Sequence, residues 1–242
     1  MNSQIESGLE LVMRLTQRPN LENINPILIP KGPYPNEFVE IVGAPGTGKT
    51  TVLMDFIVRT LLPLNLLGKN CGTVLIDTDH KFDMLRLITM LECELKKLNV
   101  AKSCIHSAIM KCLKNLTVLN CYDNEQLQMS FYNLEQILIE NSDIGLIAVD
   151  CIPAYYWQYR NLSDNHISVY GYTKQMLQCL EQCVRNNNIV VAYTRNAEAD
   201  VKEIKLGETI HRILLKKEAG SFNAFVNDKL VPYTLGKTIS WL

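Results

Sequence analysis

Gly43-Ala44-Pro45-Gly46-Thr47-Gly48-Lys49-Thr50 stands between an apolar run at residues 38–42 and an apolar-periodic stretch at residues 49–62. A strand, a glycine-rich turn and a helix in that order make a phosphate cradle. Glycine at 43, 46 and 48 permits backbone angles that a Cβ forbids, so successive N–H groups can converge on one anion. The start of the helix adds partial positive charge. Lys49 is the mobile cation for the β- and γ-phosphates, and the Thr50 hydroxyl is placed to ligate Mg²⁺. The expected nucleotide-contacting set is Gly43, Ala44, Pro45, Gly46, Thr47, Gly48, Lys49, Thr50 and Thr51. The alternative is a glycine turn with a chance Lys-Thr; the flanking strand and helix favour the cradle.

Outward from this loop, strands and helices alternate. Strands are expected at residues 38–42, 73–76, 117–120, 144–149 and 189–193, and helices at 49–62, 82–98, 105–113, 126–139 and 169–186. The strands are continuous apolar runs, as in a parallel sheet covered by helices on both faces. The tail reads differently, with short strands at 212–216, 222–226 and 238–242 and a hairpin turn at Glu218-Ala219-Gly220. The expected fold is α/β, a mostly parallel sheet flanked by helices and extended by antiparallel C-terminal strands. Ahead of it, residues 6–15 read as a short amphipathic helix. Pro19, Pro26, Pro30, Pro33 and Pro35 then make an extended lead-in. The division is therefore residues 1–37 as lead-in and 38–242 as the nucleotide-binding core.

Composition narrows the function. The chain has 242 residues, 47% hydrophobic and 20% charged, with a formal net charge of −1. That length supports a buried core without metal or disulfide staples. The near-neutral balance excludes a bulk polycation, so nucleic-acid contact would need a local patch or a shared surface. Eight cysteines contain no Cys-x-x-Cys pair and lie mostly in apolar runs, where a thiol acts as a small hydrophobe. Residues 1–10 carry two acids and no base, unlike a secretory signal or presequence. The longest apolar stretch, 57–67, is interrupted by Arg59, Pro63 and Asn65 and is too short to span a bilayer. A soluble intracellular protein is expected.

Two acids complete the candidate site. Asp150 ends the strand at 144–149, on the sheet edge that the phosphate loop shares, and is the expected Mg²⁺-side carboxylate beside Thr50. Asp79 ends the strand at 73–76, where a water-activating acid sits near a γ-phosphate. Asp79 also reads as the N-cap of the helix at 82–98.

The stretch Val74-Leu75-Ile76-Asp77-Thr78-Asp79-His80-Lys81-Phe82-Asp83-Met84-Leu85-Arg86-Leu87 resembles the RecA-like recombinase paralogues. So do Glu6-Ser7-Gly8-Leu9-Glu10-Leu11, Ala154-Tyr155-Tyr156-Trp157 and Tyr233-Thr234-Leu235-Gly236-Lys237-Thr238-Ile239. The likeness is weakest in residues 99–115 and 198–208. It implies a RecA-like P-loop ATPase core that uses ATP and Mg²⁺. It also implies a nuclear subunit of a paralogue complex, supporting homologous recombination and double-strand-break repair. The implied partner is another RecA-like recombinase paralogue, with single-stranded or branched DNA bound mainly through the complex. By position, Asp79 stands where active recombinases carry a glutamate, and Asn196 where they carry a glutamine that senses the γ-phosphate. Both side chains are one methylene short, which implies weak hydrolysis with binding retained. Active recombinases also carry a helical N-terminal domain that residues 1–37 cannot hold, so a subunit that forms no filaments alone is expected.

In this fold the loops after the strands at 144–149 and 189–193 face DNA. Tyr155, Tyr156, Trp157, Tyr159, Arg160 and His166 populate the first, as stacking groups, interface or core. Arg195, Lys202, Lys205 and Arg212 populate the second, offset by Glu198, Asp200, Glu203 and Glu208, so weak intrinsic DNA affinity is expected. A DNA-stimulated ATPase on the same fold remains the alternative. A P-loop small-molecule kinase is disfavoured because the arginines form no lid-like cluster.

Overall fold

β-Branched and aliphatic runs dominate the central strands, and their lack of polar alternation calls for cover on both faces. A computed structural model describes residues 7–9, 18–162, 167–185, 187–197, 203–218, 220–227 and 229–242. The central runs become β1 (Phe38–Gly43), β2 (Gly72–Asp77), β4 (Ile144–Asp150) and β5 (Val190–Asn196). Nearly every residue of these four strands is buried. β3 (Leu116–Asn120) is a half-exposed edge. β6 (Ile210–Glu218), β7 (Ser221–Val226), β8 (Lys229–Leu235) and β9 (Ile239–Trp241) extend the other side. The order is β3-β2-β4-β5-β1-β6-β7-β8-β9. The first six strands in that order are parallel and the last three run as an antiparallel meander.

Helices α1 (Lys49–Leu61), α2 (Met84–Lys97) and α3 (Lys102–Lys114) cover one face. Val52, Phe56, Leu87, Leu91, Leu95, Ile105 and Ile109 pack there against Val39, Ile41, Leu75 and Ala148. Helices α4 (Asn124–Glu140), α5 (Tyr156–Leu162) and α6 (Val169–Val184) cover the other. Leu127, Phe131, Leu134, Met176, Leu177 and Leu180 pack there against Phe38, Val74, Ile76 and Val149.

The parallel core matches the expected α/β fold, and the corrections fall at its margins. β6 is longer than 212–216 and pairs parallel with β1, so the antiparallel part begins one strand later than expected. The hairpin after it has Gly220 at φ 85°, in the left-handed region glycine favours. β8 was not among the expected strands, and it holds a proline, Pro232, which weakens a strand pattern. Pro232 is tolerated beside short β9, where its carbonyl accepts the Leu242 N–H at 2.9 Å. The lead-in is a series of turns rather than an extended segment. Leu21, Ile24, Leu28 and Ile29 are buried in the α1–α3 core. The helix expected at 6–15 lies almost wholly outside the described residues.

Asn25 shows what draws the lead-in onto the core. Its amide donates to Asp55 on α1 at 3.0 Å, and Arg59 Nε donates to the same carboxylate at 3.0 Å. Burial pushes the Asp55 carboxyl above its ordinary 3.8, against the pull of Arg59. The folded chain therefore keeps this proton to higher pH than the unfolded chain. Its contribution to stability falls as pH rises above the ordinary carboxylate range. Asp55→Asn should flatten that decline in urea unfolding measured from acidic to neutral pH; an unchanged slope would exclude Asp55 as its source.

Candidate nucleotide site

Parallel strands place their C-terminal ends on one edge, so the phosphate loop and both candidate acids emerge on the same side. The loop's geometry depends on glycine at two points. Gly48, the residue before α1, has φ 89°, and a Cβ there would fall 2.7 Å from a methyl of Leu235. Gly46 has φ 80° and stands open to the cleft. No side chain caps α1 and its first turn holds no acid, so that end is suited to an anion. β8 braces the loop from behind: Tyr233 donates its hydroxyl to the Thr47 carbonyl at 2.7 Å.

The cleft beside this loop measures about 550 Å³. Pro45, Gly46, Gly48, Lys49, Thr50 and Thr51 line one wall, and Asp79, Asp150 and Asn196 line others. Gly43, Ala44 and Thr47 do not line the cleft; Gly43 and Thr47 are buried and Ala44 is exposed. Lys49 Nζ donates to the carbonyls of Gly43 at 3.0 Å and Ala44 at 3.2 Å, and Thr47 Oγ1 donates to Ala44 at 2.8 Å. Asn196 is the register partner of Gly43 across β5 and β1.

Thr50 and Asp150, a hundred residues apart, meet directly: the hydroxyl donates to Asp150 Oδ2 at 2.7 Å. Thr194 donates to Oδ1 at 2.5 Å. Asp150 is 3% exposed, and burial raises its carboxyl above the ordinary range, the two hydroxyls opposing that and Asp77 and Asp79 adding to it. Burial likewise lowers Lys49, with Cys151, Asp150 and Asp79 pulling the other way. A buried carboxylate and a hydroxyl form a hard-oxygen pair, the donor type a Mg²⁺ ion prefers when phosphates and waters supply the rest. Among the described residues, no group of three or more His, Cys, Asp or Glu side chains is arranged as a protein-only metal site.

Asp79 is partly exposed, and its carboxylate accepts from Lys81 Nζ at 2.8 Å. It is not the helix cap: Asp83 caps α2, accepting from the N–H groups of Leu85 and Arg86. The helix's apolar stripe alone could not place its start within a turn. Thr78 sets where Asp79 sits. Its hydroxyl donates to the Cys151 carbonyl at 2.7 Å and accepts from the Cys151 N–H at 2.7 Å, locking the ends of β2 and β4 together.

Six cleft residues were not foreseen: Met54, Lys81, Asp83, Arg86, Cys151 and Thr194. Thr194 was findable: Val149 opposes Tyr193 in β4–β5, so one more step of the register brings 194 to Asp150. Lys81 and Arg86 carried no local signal. Arg86 reaches the cleft from α2 while donating to the Gly236 carbonyl at 3.0 Å, a contact that depends on the distant β8–β9 turn.

The matches to known proteins agree with this geometry. The Rad51 family model matches residues 27–211. The chain belongs to the Rad51 family. The DNA repair protein XRCC2 of Mus musculus is 32% identical over 192 residues, 78% of this chain and 67% of that protein. The DNA repair protein RAD51 homolog 3 of Dictyostelium discoideum is 28% identical over 123 residues, 48% of this chain and 32% of its own length. The protein of the same name from Cricetulus griseus is 28% identical over 123 residues, 47% of this chain and 34% of its own. The chain thus spans two thirds of the mouse protein and about a third of the other two. Rad51-family membership accounts for the RecA-like order of the sheet and the phosphate loop at its edge.

The aromatic run after β4 is mostly interior. A 3-10 turn, Ile152–Tyr155, leads into α5, where a loop was expected. Tyr155 donates to the carbonyls of Thr78 and Cys121. Tyr156 is buried and donates to the Ile167 carbonyl at 3.0 Å, and Tyr159 packs its ring on Tyr172. Trp157 alone of the four is largely exposed, at 63%, with the Arg160 guanidinium 5.4 Å from its ring centre. His166, Glu198, Asp200 and Lys202 lie outside the described residues. Arg195 and Arg212, expected on a DNA-facing loop, instead both donate to buried Glu40 at 2.6 Å, and Tyr193 adds a third bond to that carboxylate at 3.1 Å.

Proposed function

We propose that this protein is an ATP-binding subunit of a recombinase-paralogue complex that supports homologous recombination and double-strand-break repair in the nucleus. The Thr50–Asp150 contact at the mouth of the glycine loop carries this reading. It puts a hydroxyl and a carboxylate of the right chemistry beside a helix N-terminus that no side chain caps. Residues 38–242 act as the ATP-binding core, and residues 1–37 as its lead-in. Thr50 and Asp150 would hold Mg²⁺; the phosphate-loop residues Gly43 to Thr51, with Lys49 foremost, would hold the triphosphate. Bound Mg²⁺ would neutralise phosphate charge and orient it. Mouse XRCC2 and the RAD51 homologues are named as DNA repair proteins, which favours a paralogue as partner. DNA would be met mainly through that complex, since Arg195 and Arg212 are engaged by Glu40.

Slow hydrolysis is part of the proposal. Asp79 lies one methylene short of a glutamate and is engaged by Lys81, and Asn196 is similarly short. Both would leave an attacking water poorly held, and a misplacement of this size costs on the order of 100-fold. The test is ATP affinity and turnover in Mg²⁺, on the wild type and on Asp79→Glu with Asn196→Gln. Expected are ATP binding with slow turnover, and turnover roughly tenfold faster or more in the double variant. Wild-type turnover equal to that of an active recombinase would overturn the slow-hydrolysis reading.

A further inference from the structure

Lys49 shares the phosphate cleft with a second ammonium group, that of Lys81. Lys81 stands in the turn between β2 and α2, beside Asp79 and apart from the glycine loop. The two cations are near enough to act on each other. Burial lowers Lys49, and the like charge of Lys81 adds to that, against the pull of Cys151, Asp150 and Asp79.

The turn that carries Lys81 is tied down along its length. Thr78 is locked to Cys151 at the end of β4. The His80 N–H donates to Asp77 Oδ1 at 2.9 Å. The His80 ring stacks on Tyr122, with ring centres 4.4 Å apart. His80 has φ 51°, so the chain reverses direction at this residue. With His80 held against Tyr122, its neighbours Asp79 and Lys81 both line the cleft. Lys81 Nζ donates to Asp79 Oδ2 at 2.8 Å.

This ion pair adds little to stability, because 75% of the Lys81 side chain and 45% of the Asp79 side chain are exposed. Its effect is to place a charge. An ammonium group has three donors, and Asp79 takes one of them. The others can serve a ligand in the cleft while Asp79 keeps the lysine in position. We propose that Lys81 is a second phosphate-binding cation, which bonds the terminal phosphate of a nucleoside triphosphate while Asp79 holds it at the cleft. The inference rests on the nucleotide reading and deepens it. The glycine loop and Lys49 grip any polyphosphate that enters, and Lys81, on the opposite flank beside Asp79, distinguishes a triphosphate from a diphosphate.

The test titrates the full chain in Mg²⁺ with ADP and with a non-hydrolysable ATP analogue, by calorimetry. Lys81→Gln removes the charge and Lys81→Arg keeps it. Both alter an exposed side chain, so the fold should persist, as checked by thermal unfolding. Lys81→Gln should weaken the analogue roughly tenfold and ADP less than about twofold, the loss of one charge-assisted bond made only to the third phosphate. Lys81→Arg should keep most of the preference for the analogue. An equal loss for both nucleotides would make Lys81 a support of the turn and overturn the proposal. A wild type that binds both nucleotides and is unchanged by Lys81→Gln overturns this inference alone. A wild type that binds neither overturns the nucleotide reading, and the inference with it.

Discussion

Lys49→Ala should weaken ATP binding roughly 100-fold or more while leaving the fold intact. A charge-assisted hydrogen bond contributes about 1.5–3 kcal/mol, and each 1.4 kcal/mol is about tenfold in affinity. Two such contacts to phosphate reach that range. The fold should survive because, among the described residues, Lys49 Nζ hydrogen-bonds the carbonyls of Gly43 and Ala44 alone. Thermal unfolding with and without ATP and Mg²⁺ is the direct measurement. Wild type should be stabilised by the nucleotide and the variant not. Equal stabilisation of both would remove Lys49, and with it the cradle, from the binding site. If the bound nucleotide serves mainly to complete the subunit, the same variant should also lose partner binding while repair persists in part.

The second large effect lies beneath the sheet edge. Glu40 is fully buried on β1 and is held by Arg195 on β5 and Arg212 on β6. Glu40→Ala should cost about 3–5 kcal/mol, because it removes the buried carboxylate to which both guanidinium groups donate. Urea unfolding would measure it. A loss below about 1 kcal/mol would mean that water reaches both arginines once the carboxylate is gone. Replacing all three residues with apolar side chains of similar volume should recover most of the loss, since such triads are held in place more than they stabilise.

Glu40 also marks where reading the sequence stops. The glycine loop's geometry was legible because it rests on local spacing: three glycines, a lysine and a threonine between a strand and a helix. Asp150 was legible because a parallel sheet sends every strand end to one edge. Arg195 and Arg212 were misplaced as loop cations because their partner lies about 155 and 172 residues away. No local pattern announces that an acid in an otherwise apolar strand will be a hub. Tyr155 and Tyr156 were left open between stacking, interface and core for a related reason. An aromatic run looks the same whether its hydroxyls face solvent or find the carbonyls of Thr78 and Ile167.

The bond from Tyr233 to Thr47 joins residues 186 positions apart. As the chain leaves the ribosome, the glycine loop emerges well before its brace. Until residues 233–235 are out, the loop lacks this brace. Contacts so distant along the backbone also form late in folding. The loop's geometry is therefore complete only once β8 has joined the sheet, so a chain cut before residue 233 should carry an unbraced loop.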